Sequence, residues 1–329
     1  YEYGSITFNA VDKDVFFSEI NNGTSDKVNI QVNNEYTKTE EEKIISISAK
    51  DSTALPKERI FHKTNVQNRD GIAVIIGNRN YNKHGSSVPN VDYAINDARA
   101  IKEYVSSTLG YREGNILYLE DASQSELFST FGSERVKKGK LFDWVRPELS
   151  DVFIYYSGHG APSLNSGKGY LLPVNADAQR VDLTGYSLET LYANLKSVPA
   201  KSMTIILDAC FSGSSNSGTV VQNASSISLR TVKADSELPN AIILTAAASS
   251  EVASWDTEAR HSLFTKHYLD GVTGAADTES FGNSDGKITL GELRGYLESE
   301  VPYFARRYYG RDQHPQISGK SEKILAVTK

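Results

Sequence analysis

Short, mostly apolar runs alternate with amphipathic segments along most of this chain of 329 residues. Runs of this kind are typical of strands that are buried on both faces of a sheet. Between them, segments such as residues 90–107 repeat apolar residues at the spacing of one helical face. This alternation predicts an α/β fold in which helices flank a mostly parallel central sheet. The predicted strands are IAVIIG (72–77), ILYL (116–119), VFIYYS (152–157), MTIILD (203–208), AIILTA (241–246) and KILAV (323–327).

The first 65 residues follow a different pattern. Short alternating or β-branched segments are separated there by clusters of Asn, Gly, Ser and Lys, which predicts a small β-rich N-terminal region at 1–65. We expect this region to act as a prodomain, an exosite or an accessory module beside a larger domain at 66–329. Within the larger domain, residues 212–240 are rich in Ser, Asn, Gly and Thr, which predicts a long flexible loop.

Composition and charge narrow the class of protein. Hydrophobic residues make up 39% of the chain, and no apolar run reaches the roughly 18 residues of a membrane span, so we expect a soluble globular protein. A net charge of -6 without a dense Lys/Arg stripe argues against a nucleic-acid partner. The chain begins at Tyr1 without a signal-peptide pattern, so we expect any targeting segment to lie outside it. Neither the compartment nor the oligomeric state is predicted.

A histidine and the single cysteine directly follow two of the predicted strands. His159 comes just after the third strand and Cys210 just after the fourth. In parallel sheets ligands bind beyond the carboxyl ends of the strands, and an imidazole beside a thiol can accept its proton. The structural alternative is a buried cysteine and a loop histidine, which composition alone leaves equally open. Gly158 and Gly160 favour the catalytic interpretation, because glycines let a substrate backbone approach.

Two motifs hold these residues at a characteristic spacing. YYSGHG contains His159, and DACFSG contains Cys210, 51 residues later. Around them lie GIAVIIGNRNY, NDARAIKEYV, GYLLPVNAD, LTAAASSEVASWD and HPQISG. From about residue 70 to 329 the chain resembles the caspase and metacaspase peptidases, in particular bacterial caspase-like members, whose histidine lies about 50 residues before the cysteine.

This resemblance implies a caspase-like sandwich and a cysteine endopeptidase. Cys210 would be the nucleophile, and His159 the general base and then the general acid. The backbone N–H groups of Cys210 and Gly160 would bind the oxyanion, where losing one donor costs about 10²–10³ in rate. No third catalytic residue is evident from the sequence.

Acidic residues indicate the specificity that the resemblance implies. Asp97 lies near the core-facing side of its predicted helix. Asp208 precedes Cys210 by two residues, so an extended strand would point the side chains of Asp208 and Cys210 the same way. In metacaspases these two aspartates line the pocket for a basic residue, which implies peptide or protein substrates that are cut after Arg or, less readily, Lys. The alternatives are a surface ion pair for Asp97 and a turn cap for Asp208.

Three further residues complete the predicted substrate-binding set. Ser157 belongs to the histidine motif. Trp255 and Asp256 stand in SWD, where animal caspases that cut after aspartate have SWR. Trp255 is expected to form a wall of the substrate groove, with a core position as the alternative. The resemblance supports Asp256 less well than Trp255, so a structural role for this acid stays open.

Two other functions compete with this prediction. One is a catalytically idle caspase-like scaffold that binds basic peptides, and the other is a related peptidase that prefers Asn or small residues. The intact pair of Cys210 and His159 argues against the first, and the two pocket acids argue against the second. If the enzyme cuts after basic residues, Arg230 and Lys233 in the predicted loop are candidate self-processing sites, as in a zymogen. The alternative is that this loop is only a tolerated insertion at the surface.

The sequence predicts no metal or cofactor. NSDGKITLGE resembles positions 3–12 of an EF-hand calcium loop, but position 1 would be Phe281, which has no oxygen ligand. We therefore expect a loop that only begins a helix. Asp182 stands alone where several metacaspases have an acidic calcium-binding cluster. The remaining histidines lack the spacing of zinc ligands.

Overall fold

The computed structural model describes residue 61 and residues 63–84, 88–212, 214–215, 218–220, 238 and 241–328. The β-rich region predicted at 1–65 lies almost wholly outside the described residues. Most of the loop predicted at 212–240, including Arg230 and Lys233, lies outside them as well.

The described residues alternate between strands and helices, as the hydrophobic pattern predicts. The strands are β1 (Ile72–Gly77), β2 (Ile116–Glu120), β3 (Asp151–Ser157), β4 (Gly160–Pro162), β5 (Gly169–Leu171), β6 (Tyr186–Ser187), β7 (Ser202–Asp208), β8 (Ser214–Ser215), β9 (Gly218–Thr219), β10 (Ala241–Thr245), β11 (Trp255–Asp256), β12 (His261–Ser262), β13 (Lys287–Thr289), β14 (Gln316–Ser318) and β15 (Ile324–Val327). The helices are α1 (Ala94–Ser107), α2 (Gln124–Phe131), α3 (Lys140–Trp144), α4 (Val181–Thr184), α5 (Leu188–Leu195), α6 (Leu263–Val272) and α7 (Leu290–Tyr309). Short 3₁₀ turns lie at Tyr81–His84, Glu113–Asn115, Ala178–Arg180 and Ala275–Asp277.

A six-stranded sheet in the order β2-β1-β3-β7-β10-β14 forms the centre of the domain. Its first five strands are parallel, and β14 is antiparallel to β10. Helices cover both faces, so the central strands are buried almost throughout. The structure therefore confirms the predicted α/β fold class and the mostly parallel sheet.

Alternate residues of the central strands enter two separate cores, because side chains of a strand point to opposite faces in turn. Phe153 and Tyr155 of β3 pack on the face covered by α1, α6 and α7. Ile154 and Tyr156 pack on the opposite face with α2, α3 and α5. The carboxyl ends of the parallel strands are thereby held at one edge by two packed layers.

Five of the six predicted strands lie in the central sheet; the sixth also forms a strand, but it lies outside that sheet. KILAV forms β15, which pairs with β13 in a separate two-stranded sheet. The place beside β10 is taken by β14, from HPQISG, whose three residues are too few to show a hydrophobic pattern. The helix predicted at 90–107 begins only at Ala94, and the N–H of Val91 before it bonds to the carbonyl of Arg79.

No helix in the described part of the chain is long and apolar enough to cross a membrane.

Candidate active site

The register between β3 and β7 places the histidine and the cysteine side by side. The strands are parallel, and Ser157 lies opposite Asp208. His159 and Cys210 each follow this pair by two residues, and both line one cleft at the carboxyl edge of the sheet. The cleft has a volume of about 30 Å³, which is room for one or two water molecules. Its other lining residues are Val91, Ser157, Gly158, Asp208, Ala209, Ala253, Trp255 and Ser262.

The imidazole of His159 is oriented by a backbone carbonyl. Its Nε2 lies 2.7 Å from the carbonyl oxygen of Pro89. A carbonyl can only accept a hydrogen bond, so Nε2 carries the proton and Nδ1 is the nitrogen left with a free lone pair. Burial lowers the pKa of His159 to about 4, against the opposing effect of the Pro89 carbonyl. The imidazole is therefore neutral at physiological pH, with Nδ1 as the basic atom.

Two tyrosines hold the backbone of His159. The N–H of His159 donates to the hydroxyl of Tyr81 at 2.9 Å, and the rings of these two residues lie 4.7 Å apart. The hydroxyl of Tyr156 lies within hydrogen-bonding distance of the His159 carbonyl, at 2.9 Å. A Cβ atom at Gly158 would lie 2.7 Å from the Tyr156 hydroxyl and 2.8 Å from that of Tyr81. The glycine before the histidine is thus required by these hydroxyls.

Gly160, after the histidine, lies against the segment that holds the cysteine. A Cβ atom at this position would come within 2.6 Å of the Phe211 ring and 2.7 Å of the Cys210 carbonyl oxygen. Both contacts are closer than real Cβ contacts, so any larger residue would displace the Cys210 segment. The glycine therefore keeps the backbones that follow β3 and β7 close together.

The thiol of Cys210 is half-buried and protonated at neutral pH. Its Sγ accepts a hydrogen bond from the backbone N–H of Ala253. Burial raises the pKa of Cys210 to about 12, and the Asp208 carboxylate raises it further, against the Ala253 N–H and the charge of Arg311. The site therefore holds a neutral thiol beside a neutral imidazole, rather than a thiolate and an imidazolium.

Asp97 is completely buried, as expected for a core-facing acid that must be paired. Its Oδ1 lies 2.7 Å from Nδ1 of His261, and both oxygens accept from the backbone N–H of Ser262 at 3.2 Å. The hydroxyl of Ser157 is a more distant donor, at 3.5 Å. Burial raises the pKa of Asp97, and the hydrogen bond from His261 is the strongest opposing effect. The alternative of a surface ion pair does not apply, because the partner is a buried histidine.

Asp208 lines the cleft directly. Its Oδ2 accepts hydrogen bonds from the hydroxyls of Ser262 and Thr265. Burial and the neighbouring charge of Asp97 raise the pKa of Asp208 to about 7. The two acids are therefore close enough to interact, and Asp208 is the one that a bound side chain would meet.

The remaining predicted residues lie in different surroundings. Ser157 and Trp255 line the cleft. Trp255 is half-buried and meets the ring of Tyr93 edge-on, with 5.5 Å between centroids. Asp256 is absent from the residues that line the cleft, and its Oδ1 accepts from the N–H of Ala259 at 2.8 Å. Asp256 thus stabilises the turn between β11 and β12, and its role in substrate binding stays a prediction.

The EF-hand-like segment begins helix α7, as expected from the sequence. Thr289 caps the helix and forms a reciprocal capping box with Glu292. Asp277, outside the motif, accepts from the backbone N–H groups of Asp285 and Gly286 at 3.2 Å and 2.7 Å. Within the described ranges, no group of three or more His, Cys, Asp or Glu side chains could hold a metal ion.

Sequence reasoning missed several groups that build this site. The Pro89 carbonyl is a backbone atom, so no side-chain motif reveals it. The sequence His261-Ser262, followed by Thr265, has the pattern of a helix cap, because Ser262 accepts from the N–H of Thr265. This signal predicts a helix start but not its contact with the two acids.

Comparison with known proteins identifies the family of this chain. The chain matches the caspase domain family, Peptidase C14, over residues 70–323. Among solved structures, it is similar to caspase-1 from Spodoptera frugiperda, with 14% identity and a TM-score of 0.48, over 83% of this chain and 96% of that one. The search of curated proteins found no match. The chain belongs to the caspase domain family and is a cysteine-type peptidase, a hydrolase that acts on peptides or proteins.

Proposed function

We propose that this peptidase cleaves peptide bonds after Arg and Lys, with Cys210 as nucleophile and His159 as general base and acid. The observation that carries the proposal is the register of β3 and β7, which brings both residues and Asp208 into one cleft. The tautomer of His159 supports the assignment, because the Pro89 carbonyl leaves Nδ1 free to take the thiol proton.

Acylation begins with the neutral pair. The Cys210 thiol transfers its proton to Nδ1 of His159 as Sγ attacks the carbonyl carbon of the substrate. The Pro89 carbonyl then accepts from a positively charged ring, a stronger hydrogen bond than that to the neutral ring. As the C–N bond breaks, Nδ1 returns the proton to the leaving amine, which leaves a thioester on Cys210.

Deacylation repeats these steps with water. His159 takes a proton from water as the oxygen attacks the thioester carbon, and the proton returns to Sγ as the C–S bond breaks. In each half-reaction the backbone N–H groups of Cys210 and Gly160 stabilise the oxyanion. The close approach of Gly160 to the Cys210 carbonyl, which excludes any Cβ, supports this pairing of donors.

Specificity for a basic residue rests on Asp208 and Asp97. Asp208 lines the cleft, and Asp97 shares Ser262 with it as a hydrogen-bonding partner. Two adjacent acids repel an acidic side chain and attract a cation. A guanidinium fork suits carboxylates better than a point-charged ammonium, so Arg is preferred to Lys. The cleft of about 30 Å³ must widen to admit either side chain.

Matched fluorogenic peptides that differ only in the residue before the cut test this function. We expect kcat/KM for Arg to exceed that for Lys, and to exceed that for Asp by about 10- to 1000-fold. Cys210→Ala and His159→Ala are expected to remove turnover while the thermal unfolding transition is retained. A preference for Asp, or equal rates for Arg and Ala, would contradict the pocket assignment. Binding of basic peptides without any turnover would favour the idle scaffold.

Self-processing follows from the same specificity. Arg230 and Lys233 lie between the described β9 and β10, so an enzyme that cuts after basic residues would find candidate bonds in this segment. We expect intact-mass spectrometry to detect nicked wild-type protein and an uncut Cys210→Ala variant. Wild-type protein that is uncut, with a mass that differs from the variant's only by the Cys210→Ala change itself, would rule self-processing out.

A further inference from the structure

One short segment supplies hydrogen-bond donors to both pocket acids. His261 and the backbone of Ser262 donate to Asp97, while the hydroxyls of Ser262 and Thr265 donate to Asp208. Because the Thr265 hydroxyl proton is used on Asp208, the hydroxyl of Tyr155, 2.6 Å away, must donate to Thr265. The start of helix α6 therefore fixes the relative position of the two carboxylates.

The two acids stand differently toward the cleft. Asp208 lines it, whereas the side chain of Asp97 is 1% exposed and lies behind Asp208. His261, at 5% side-chain exposure, is buried with Asp97 and touches it through Nδ1. The ionisable groups that face Asp97 are His261, Asp208 and the hydroxyl of Tyr155. His261 is the one among them that donates a hydrogen bond to Asp97.

We propose that His261 is a positioning residue that determines specificity: its Nδ1–H keeps Asp97 as a fixed carboxylate behind Asp208, so that the pocket attracts a cationic side chain. This inference rests on the proposed cleavage after basic residues and identifies what maintains it. Asp97 acts on the substrate through its field, and Asp208 makes the direct contact.

Loss of the donor has a defined consequence for the pocket. Without His261, the donors that remain to the buried charge among the described residues are the N–H of Ser262 and the distant hydroxyl of Ser157. A buried carboxylate with too few donors takes up a proton, because burial disfavours its charged form. The pocket would then lose one negative charge, and its affinity for a cation would fall while the Cys210 and His159 pair stays intact.

Two substitutions at His261 distinguish the effect of its hydrogen-bond donor from the effect of the space that its side chain fills. His261→Asn places an amide N–H close to the position of Nδ1, and His261→Leu fills similar space without a donor. Each variant is assayed with a peptide that has Arg before the cut and with the same peptide containing citrulline, which has the shape of Arg without its charge. Alkylation of Cys210 by iodoacetamide reports on the thiol without using the pocket.

We expect His261→Leu to lower the Arg-to-citrulline ratio of kcat/KM by about 10- to 100-fold, the effect of losing a hydrogen bond to a charged group. The change is expected mainly in KM for the Arg peptide, with an unchanged alkylation rate and with the ratio restored in His261→Asn. If His261→Leu does not fold, His261→Met, which also lacks a donor, takes its place with the same expected loss.

An unchanged ratio in the donor-free variant, or an equal loss for both peptides, would overturn the role of His261 and leave the proposed function intact. A wild-type enzyme that turns over both peptides equally would instead remove the preference for basic residues itself. The wild-type and variant ratios therefore distinguish the two failures.

Discussion

The raised pKa of Asp208 predicts that this acid lowers the stability of the folded protein at alkaline pH. The perturbation is Asp208→Asn, introduced into Cys210→Ala so that no self-cleavage occurs. Folding raises the pKa of Asp208 from its ordinary value of 3.8 to about 7, chiefly because the group is buried. Between pH 3.8 and pH 7, Asp208 therefore keeps its proton in the native state but has released it in the unfolded chain. Stability falls as the pH rises from about 4 to 7 and then levels off.

The magnitude follows from the size of this shift. Each pKa unit corresponds to about 1.4 kcal/mol, so the raised pKa of this acid costs about 4 kcal/mol of stability at pH 8 and about 1 to 2 kcal/mol at pH 5. Asp208 as a residue is only 5% exposed, which leaves little solvent screening to reduce this cost. Replacement by neutral Asn should therefore stabilise the protein by about 2 to 3 kcal/mol more at pH 8 than at pH 5.

Urea unfolding of both proteins at the two pH values measures this difference. His159 has the opposite pH dependence, because its lowered pKa makes stability fall as the pH drops from 6.5 toward 4. It is present in both proteins, so its contribution cancels when the variant is compared with its parent. Any pH-independent effect of the amide cancels as well. A variant-minus-parent difference that is equal at pH 5 and pH 8, or smaller at pH 8, would refute the reasoning.

Three further predictions concern the thiol, the oxyanion site and the metal. Iodoacetamide should alkylate Cys210 slowly at pH 7, with a rate that still rises above pH 9, because burial raises the pKa of the thiol to about 12; a plateau below pH 8 would reveal an ion pair instead. Gly160→Ala should lower kcat by at least about 10²-fold, since its Cβ would lie 2.6 Å from the Phe211 ring. Gly114→Ala is the control and should keep full activity, because a Cβ at Gly114 would have no other atom within 4 Å. Activity should survive EGTA, because Asp277 already accepts two backbone N–H groups; a loss that calcium reverses would reveal a site.

The positions of the catalytic candidates could be predicted from the sequence. The strands before His159 and Cys210 are continuous apolar runs, the pattern that predicts strands buried on both faces of a sheet. Parallel strands end at one edge, so residues that directly follow them meet there. The structure adds the register, with Ser157 opposite Asp208, which makes the two residues neighbours.

The prediction of sheet membership failed at the edge of the central sheet, where the hydrophobic pattern of a segment does not match its burial. KILAV has the composition of a buried strand, yet β15 is only partly buried and pairs with β13 outside the central sheet. HPQISG shows no strand pattern, yet β14 takes the edge beside β10. Sheet membership was decided by which segment reaches the edge of β10, which composition does not describe.

What the sequence by itself determined is therefore the five parallel strands of the central sheet and the residues that follow β3 and β7, since both depend on short-range hydrophobic pattern. Only the tertiary structure decided what those residues touch. Asp97 and His261 are 164 residues apart, and no spacing rule joins them. The Pro89 carbonyl that orients His159 belongs to the backbone and is the same atom in every residue type. The protonation of Cys210, Asp208 and His159 likewise follows from burial, which exists only once the helices have packed on the sheet.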